Sequence, residues 1–104
     1  MGQVRLSRRA ETDLLEISVY TLRTWGEDQA FRYVDALEAF CQMLADNPSV
    51  GRRCEDVRRG LRRMKSEKHV VFYREEAGAI LVSRILHQRM FPERYAMDDE
   101  HEGL

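Results

Sequence analysis

The chain contains 104 residues with a formal net charge of -1; 43% of the residues are hydrophobic and 34% are charged. This length predicts one domain with one core, and the composition is typical of a globular protein rather than a disordered chain. No apolar run reaches the ~18 residues that a membrane span needs, and the N-terminal segment lacks the apolar core of a secretory signal. We therefore expect a cytoplasmic protein that does not enter a membrane.

Cysteine and histidine usage predicts no metal site. Cys41 and Cys54 have neither metal-ligand spacing nor the density of a disulfide framework, and the three histidines are dispersed along the chain. We expect both thiols to be reduced and Cys41 to be buried in the core.

Charge is unevenly distributed along the chain. Residues 7–47 carry 4 basic and 8 acidic side chains, residues 52–74 carry 9 and 3, and residues 93–104 carry 1 and 5. One end of the fold should therefore be basic, which favours an anionic partner, either nucleic acid or an acidic protein segment. The alternative is a solvated sheet edge, because lysine and arginine often protect edge strands.

The first half of the chain predicts a short strand and a helix. Gln3–Leu6 is the strand candidate, and Ser7 suits the N-cap of a helix over Arg8–Trp25 that ends at Gly26. Apolar residues recur at helical spacing in this segment. They form a stripe of Leu15, Val19 and Leu22, with Ala10, Leu14 and Ile17 beside it.

A second helix is predicted from about Asp28 to Asp46, because apolar positions again recur at helical spacing. It ends at Asn47, since a residue before proline resists the α conformation. The connection at Gly26 is so short that the two helices must be antiparallel neighbours. The apolar face of this hairpin needs a sheet to cover it.

The second half of the chain predicts an irregular, arginine-rich loop at Pro48–Gly60 and then three strands. The last strand is apolar at almost every position, which indicates burial on both faces and a place inside the sheet. The strands are Leu61–Lys65, His69–Arg74 and Ala79–His87, with turns at Ser66–Glu67 and Glu75–Gly78.

The residues after the last strand predict a turn over Met90–Tyr95, with Phe91 and Tyr95 packed on the core. Residues 97–104 form an acidic tail that we expect to be disordered, because it buries almost nothing. The predicted fold is α+β, with the order β-α-α-β-β-β in a single domain over residues 1–96. Its N-terminal strand and helical hairpin pack on a small, mainly antiparallel sheet.

Several blocks of this sequence, in this order, resemble the ParE toxins of the RelE/ParE superfamily between about Val4 and Tyr95. The blocks are RLSRRAETDLLEI, TWGEDQAFRYVDAL, DNPSVGRR, VRRGLRRM, KHVVFYR and ILVSRILHQRM. The resemblance implies the toxin of a type II toxin–antitoxin system that traps the DNA cleavage complex of DNA gyrase. It implies a hetero-oligomer with a cognate antitoxin, no cofactor and no sequence-specific binding to nucleic acid.

Two surfaces are expected to carry this function. An amphipathic antitoxin helix would dock in the groove between hairpin and sheet, where Trp25 and Tyr33 should be partly exposed. Strand alternation puts Arg63 and Lys65 on one side of the sheet and Arg62 and Met64 on the other. The predicted antitoxin contacts are Tyr20, Trp25, Phe31, Tyr33, Arg62, Arg63 and Arg74. The predicted target contacts are Arg58, Arg59, Lys65, Lys68, Arg84 and Arg89.

Two alternatives stay open. The first is a ribosome-dependent, metal-independent mRNA endoribonuclease, which needs a base, an acid and cations; its candidates are His87, Arg63, Lys68 and Arg89. Against it, His87 could simply bond a neighbouring backbone group, and His69 could cap the adjacent turn. The second alternative is a non-toxic module that only binds its antitoxin. No phosphate loop, nucleophile elbow or dinucleotide motif is present, so we expect a protein that is not an enzyme.

Overall fold

The computed structural model describes residues 2–97 and begins with a strand followed by a helical hairpin. Strand β1 spans Gln3–Leu6, helix α1 spans Arg8–Trp25 and helix α2 spans Glu27–Asp46. The Ser7 hydroxyl accepts the Ala10 N–H at 3.0 Å, and Gly26 ends α1 with a φ of 93°. The predicted cap, hairpin and first helix are confirmed; α2 begins one residue earlier than predicted.

The remaining strands complete a mixed, mainly antiparallel sheet of five strands in the order β1-β5-β4-β3-β2. Only β1 runs parallel to its neighbour, β5. Because β5 lies between β1 and β4, its predicted place inside the sheet is confirmed. The strands are β2 Arg52–Arg53, β3 Arg62–Ser66, β4 His69–Glu76 and β5 Ala79–His87.

The segment predicted as an irregular loop contains a 3-10 turn at Pro48–Val50 and the short strand β2. The reason is a buried tyrosine. The Tyr73 hydroxyl accepts the Gly51 N–H at 2.9 Å and donates to the Pro48 carbonyl at 2.7 Å. These two bonds hold the segment against the sheet, so that β2 reaches β3.

Most of the core lies between the hairpin and the sheet. Leu37, Cys41 and Leu44 of α2 pack there against Val71 and Tyr73 of β4 and the inward residues of β5. Cys41 is 4% exposed, and burial raises the pKa of its thiol to about 12. The predicted burial of Cys41 is confirmed.

The other face of the sheet carries a second, smaller core made of Cys54, Leu61, Phe72 and Leu86. Residues from the β2–β3 connection and from the C-terminal segment cover it, including Val57, Tyr95 and Met97. The predicted packing of Tyr95 is confirmed.

Two predictions for the C-terminal segment are wrong. Phe91 is 57% exposed and lies beside the Arg94 guanidinium instead of packing on the core. Met97, predicted as the start of the disordered tail, packs on the second core. The rest of that predicted tail, residues 98–104, lies outside the described residues.

The predicted apolar face of α1 is confirmed at Ala10 and Ile17 and is wrong for its central stripe. Leu15 and Leu22 are 63% and 45% exposed and Val19 is at the surface, whereas Ala10, Asp13, Ile17 and Thr21 are buried. The sheet-facing side includes two polar residues because both are bonded: the Thr21 hydroxyl donates to the Ile17 carbonyl, and Asp13 pairs with β5. Polar satisfaction, not apolar count, decides which face is buried.

Within residues 2–97, neither helix is long and apolar enough to cross a bilayer. The same residues contain no cluster of three or more histidine, cysteine or carboxylate side chains that could hold a metal ion.

Candidate partner-binding groove

An open groove of about 490 Å³ runs between α1 and the sheet. Strands β4 and β5 form its floor, and Tyr33 of α2 lies at one end. The lining is largely apolar, with Ile17, Ile85, Leu86 and Met90 between aromatic side chains. An apolar, aromatic-rich groove along a helix suits the apolar face of a partner helix.

Three of the four aromatic residues predicted to contact an antitoxin line this groove. Tyr20 and Trp25 are 66% and 65% exposed, and Tyr33 is half-buried. The predicted partial exposure of Trp25 and Tyr33 is confirmed. Phe31, 68% exposed, instead lies on the outer side of the hairpin beside Val19.

Three rings in contact, two of them joined by a hydrogen bond, cross the groove floor. The Tyr33 hydroxyl lies 2.6 Å from His69 Nδ1 and accepts the Lys68 N–H at 3.3 Å. The rings of His69 and His87, which are paired residues on β4 and β5, lie 5.4 Å apart in a T-shaped arrangement. Tyr33 therefore caps the β3–β4 turn, the role that the sequence suggested for His69.

Both imidazoles take part in this network. The Tyr33 hydroxyl and His69 Nδ1 share one hydrogen bond, whose direction is set by the tautomer of His69. Burial lowers the pKa of His69 to about 4, and the neighbouring His87 acts in the same direction. His87 Nδ1 accepts the Arg89 N–H at 3.2 Å.

One wall of the groove is held by an ion pair between Asp13 of α1 and Arg84 of β5. The carboxylate binds the guanidinium through two contacts of 2.8 Å and also accepts the Ile85 N–H at 2.9 Å. The Arg84 guanidinium donates to the Ala96 carbonyl at 3.0 Å and lies 5.6 Å from the centre of the Tyr95 ring. The Asp13 hydrogen bond raises the pKa of Arg84.

A β-bulge in β5 positions Arg84 for its ion pair with Asp13. Phe72 pairs with Arg84, but Tyr73 pairs with Val82, so Ser83 is an extra residue in β5. The Ser7 hydroxyl donates to the Ser83 carbonyl at 2.8 Å, which anchors the bulge to the start of α1. The bulge shifts the alternation of β5, and Ile85 lies on the hairpin side like Val82.

The predicted basic residues are divided between the two faces of the sheet. Met64 packs on the hairpin side, and the Arg62 guanidinium there donates to the carbonyls of Ser49 and Gly51. Arg63 pairs with Phe72 of the second core and therefore lies on the opposite face with Lys65. The predicted alternation along β3 is confirmed.

The guanidiniums of this face act on the Cys54 thiol. Burial raises the pKa of Cys54, and the charges of Arg63 and Arg52 oppose that shift. Arg52 pairs with Arg63 across the β2–β3 ladder and therefore lies on the same face, away from the hairpin.

Of the other predicted contacts, Lys68 and Arg84 line the groove, but the Arg84 guanidinium is already ion-paired with Asp13. Arg74 is paired with Glu76 at 3.5 Å and is outside the groove lining. The exposed residues outside the groove are Arg58, Arg59, Lys65 and Arg89, of which Lys65 binds the Gln88 side chain.

The structure brings together three of the four residues named for RNA cleavage and separates the fourth. Lys68, His87 and Arg89 lie at one end of the β4–β5 pair, where the Gln88 N–H donates to the Lys68 carbonyl at 2.8 Å. Arg63 lies on the other face of the sheet, away from His87.

Sequence reasoning missed Asp13, Glu16 and Thr21 as groove residues. A signal existed for Asp13. It occurs one helical turn before the buried Ile17 and one turn after Ala10, and a carboxylate within an apolar face indicates a charged partner.

Comparison with known proteins decides the family. The family described as the ParE toxin of type II toxin–antitoxin systems (parDE) matches residues 4–92. The chain belongs to the ParE toxin family. Toxin ParE1 of Caulobacter vibrioides is 43% identical over 90 residues, which cover 86% of this chain and 93% of that protein. Toxin ParE of Escherichia coli is 38% identical over 86 residues, which cover 82% and 84%.

Solved structures share the fold of this ParE family member. A chain of the chromosomal ParDE system from P. aeruginosa has a TM-score of 0.71 at 23% identity, covering 84% of this chain and 96% of that one. A chain of the RelBE2 toxin–antitoxin complex from Mycobacterium tuberculosis has a TM-score of 0.61 at 20% identity, with 84% and 98% covered. The predicted α+β fold of the RelE/ParE kind is therefore confirmed.

Proposed function

We propose that this ParE family toxin inhibits DNA gyrase by binding it and trapping its DNA cleavage complex. We also propose that a cognate antitoxin silences it by laying an amphipathic helix in the groove. The proposal of gyrase inhibition rests on family membership, which covers residues 4–92. The proposal of antitoxin docking rests on the exposed aromatic lining of the groove, where the side chains of Tyr20 and Trp25 are 66% and 65% exposed.

The antitoxin proposal has further support from relatives of the same fold. The similar chains belong to a ParDE system and to a RelBE2 toxin–antitoxin complex. A helix with apolar residues at i, i+3, i+4 and i+7 fits a groove of this kind, and aromatic residues commonly dominate the binding energy.

Two observations favour a binding role over RNA cleavage. Arg63 lies across the sheet from His87, so it is not placed to neutralise a phosphorane formed there. The His87 Nδ1 atom accepts the Arg89 N–H at 3.2 Å, so this nitrogen would have to give up a hydrogen bond to take a proton from a 2′-hydroxyl.

Expression of the toxin in cells distinguishes three functions: gyrase inhibition, mRNA cleavage and antitoxin binding without toxicity. We expect growth arrest with DNA damage and filamentation while mRNA stays intact, and we expect His87→Ala to remain toxic. Rapid mRNA cleavage that His87→Ala abolishes would establish the nuclease. Harmless overexpression of folded protein would leave only the antitoxin-binding module.

The groove is tested with matched aromatic variants. Trp25→Ala should weaken antitoxin binding by about 2 kcal/mol or more, as expected for a central aromatic anchor. Phe31→Ala is the control, because Phe31 is equally exposed at 68% but lies outside the groove. Equal losses in titration calorimetry would contradict the groove as the docking site.

A further inference from the structure

We propose that an arginine surface at the β2–β3 edge binds the phosphate backbone of duplex DNA without reading its sequence. This surface consists of Arg52, Arg53, Arg59 and Arg63. The binding needs no gyrase and no antitoxin, so it stands independently of the function proposed above.

Like charges oppose each other directly at this edge. Arg52 pairs with Arg63, and Arg53 pairs with Arg62, across the antiparallel β2–β3 ladder. Residues 52–63 contain six basic and two acidic side chains. Opposed like charges destabilise a strand pair, so this arrangement costs stability unless an anion lies over it.

Within residues 2–97, the surface residues Arg52, Arg53, Arg59 and Arg63 have no ion pair with a carboxylate. Arg62 differs, because its guanidinium is bonded to the Ser49 and Gly51 carbonyls. β2 is the outermost strand, so side chains from both of its faces reach solvent along one edge.

The surroundings favour a nucleic acid over an acidic peptide. Peptide partners need apolar anchors in addition to charge. In the described stretch from Ser49 to Arg89, Val50 at 48% is the one large hydrophobic side chain that is exposed. A surface on which guanidiniums outnumber apolar side chains matches the phosphate backbone, whose affinity for proteins is mainly electrostatic.

Salt dependence measures the number of contacts. If four arginines each neutralise one phosphate, affinity for a labelled 30-base-pair duplex of arbitrary sequence should fall about 100-fold between 50 and 200 mM salt. The double variant Arg52→Gln/Arg63→Gln should bind more weakly and lose only about 10-fold over the same range. Fluorescence anisotropy with the purified full chain gives both values.

The matched control is Arg23→Gln/Arg32→Gln, which removes two exposed arginines from the hairpin and changes the net charge equally. We expect it to keep the unmodified salt slope. Thermal melting checks folding, and the β2–β3 variant should melt no lower than the parent, because it removes an opposed like-charge pair.

Three outcomes would overturn the proposal: no DNA binding at 50 mM salt, equal losses in both double variants, or displacement of the DNA by poly-glutamate of the same charge at equal concentration. The last would identify an acidic protein segment as the ligand. Binding that depends on sequence would also contradict a backbone-only contact.

Discussion

Removal of Asp13 tests the ion pair that joins α1 to β5. The Asp13 side chain is 8% exposed, and that of Arg84 is 12% exposed. Removing one partner of a buried pair leaves the other charge uncompensated, which costs about 3–5 kcal/mol. Asp13→Ala also takes the acceptor from the Ile85 N–H. A domain of this size has about 5–15 kcal/mol of stability, so this loss would be a large fraction of the total.

Urea denaturation followed by far-UV circular dichroism measures the loss, and two variants separate its causes. Asp13→Asn keeps an oxygen for the Ile85 N–H and should lose less than Asp13→Ala. The double variant Asp13→Leu/Arg84→Met removes both charges and should cost less than Asp13→Ala alone. Arg5→Gln is the surface control: the Arg5 side chain is 47% exposed in its pair with Glu76, and such pairs contribute at most ~1 kcal/mol. A loss below about 1 kcal/mol for Asp13→Ala would refute the argument.

Two further predictions concern stability. The pKa of His69 is about 4 in the folded protein against about 6.5 when unfolded, so the unfolded chain binds more protons between these values and stability should decrease as pH falls from about 6.5 to 4. The full pKa shift corresponds to about 3 kcal/mol of stability, reduced to about 1–2 kcal/mol by solvent screening at this half-buried site. His69→Gln should flatten the pH dependence of the urea midpoint. A pH dependence unchanged in this variant would contradict the assignment of the effect to His69. In Gly51→Ala, the added Cβ would clash with the Tyr73 hydroxyl oxygen, so we expect a loss of about 1–3 kcal/mol by thermal melting. An unchanged midpoint would show that the contact relaxes freely.

The sequence predicts the elements well because most are set by local signals. Ser7, Gly26 and the residue before Pro48 mark the helix ends, and their observed conformations agree. The apolar run of β5 correctly predicts a buried strand. These signals act within a few residues, so one sequence suffices to read them.

Features set by distant partners were missed. Strand β2 exists because Tyr73, 22 residues after Gly51, bonds that segment. The buried face of α1 depends on Arg84, 71 residues after Asp13. Apolar periodicity alone favoured Leu15, Val19 and Leu22, because it does not count a carboxylate such as Asp13 among the residues of a buried face. Long-range polar pairing decided both cases.

The candidate site was predicted only in part, again because some of its features depend on residues that are distant in sequence. Trp25 was expected to be partly exposed in the groove, and it lies there. The separation of Arg63 from His87 required the strand register and the position of the helices, which no local pattern gives.

Plasmid supercoiling by purified gyrase with ATP, titrated with toxin freed from its antitoxin, tests the central claim most directly. We predict loss of supercoiling together with accumulation of linear DNA trapped on gyrase, and reversal of both effects when antitoxin is added. Unchanged supercoiling and no linear DNA at an excess of toxin, with circular dichroism showing that the toxin is folded, would contradict gyrase inhibition.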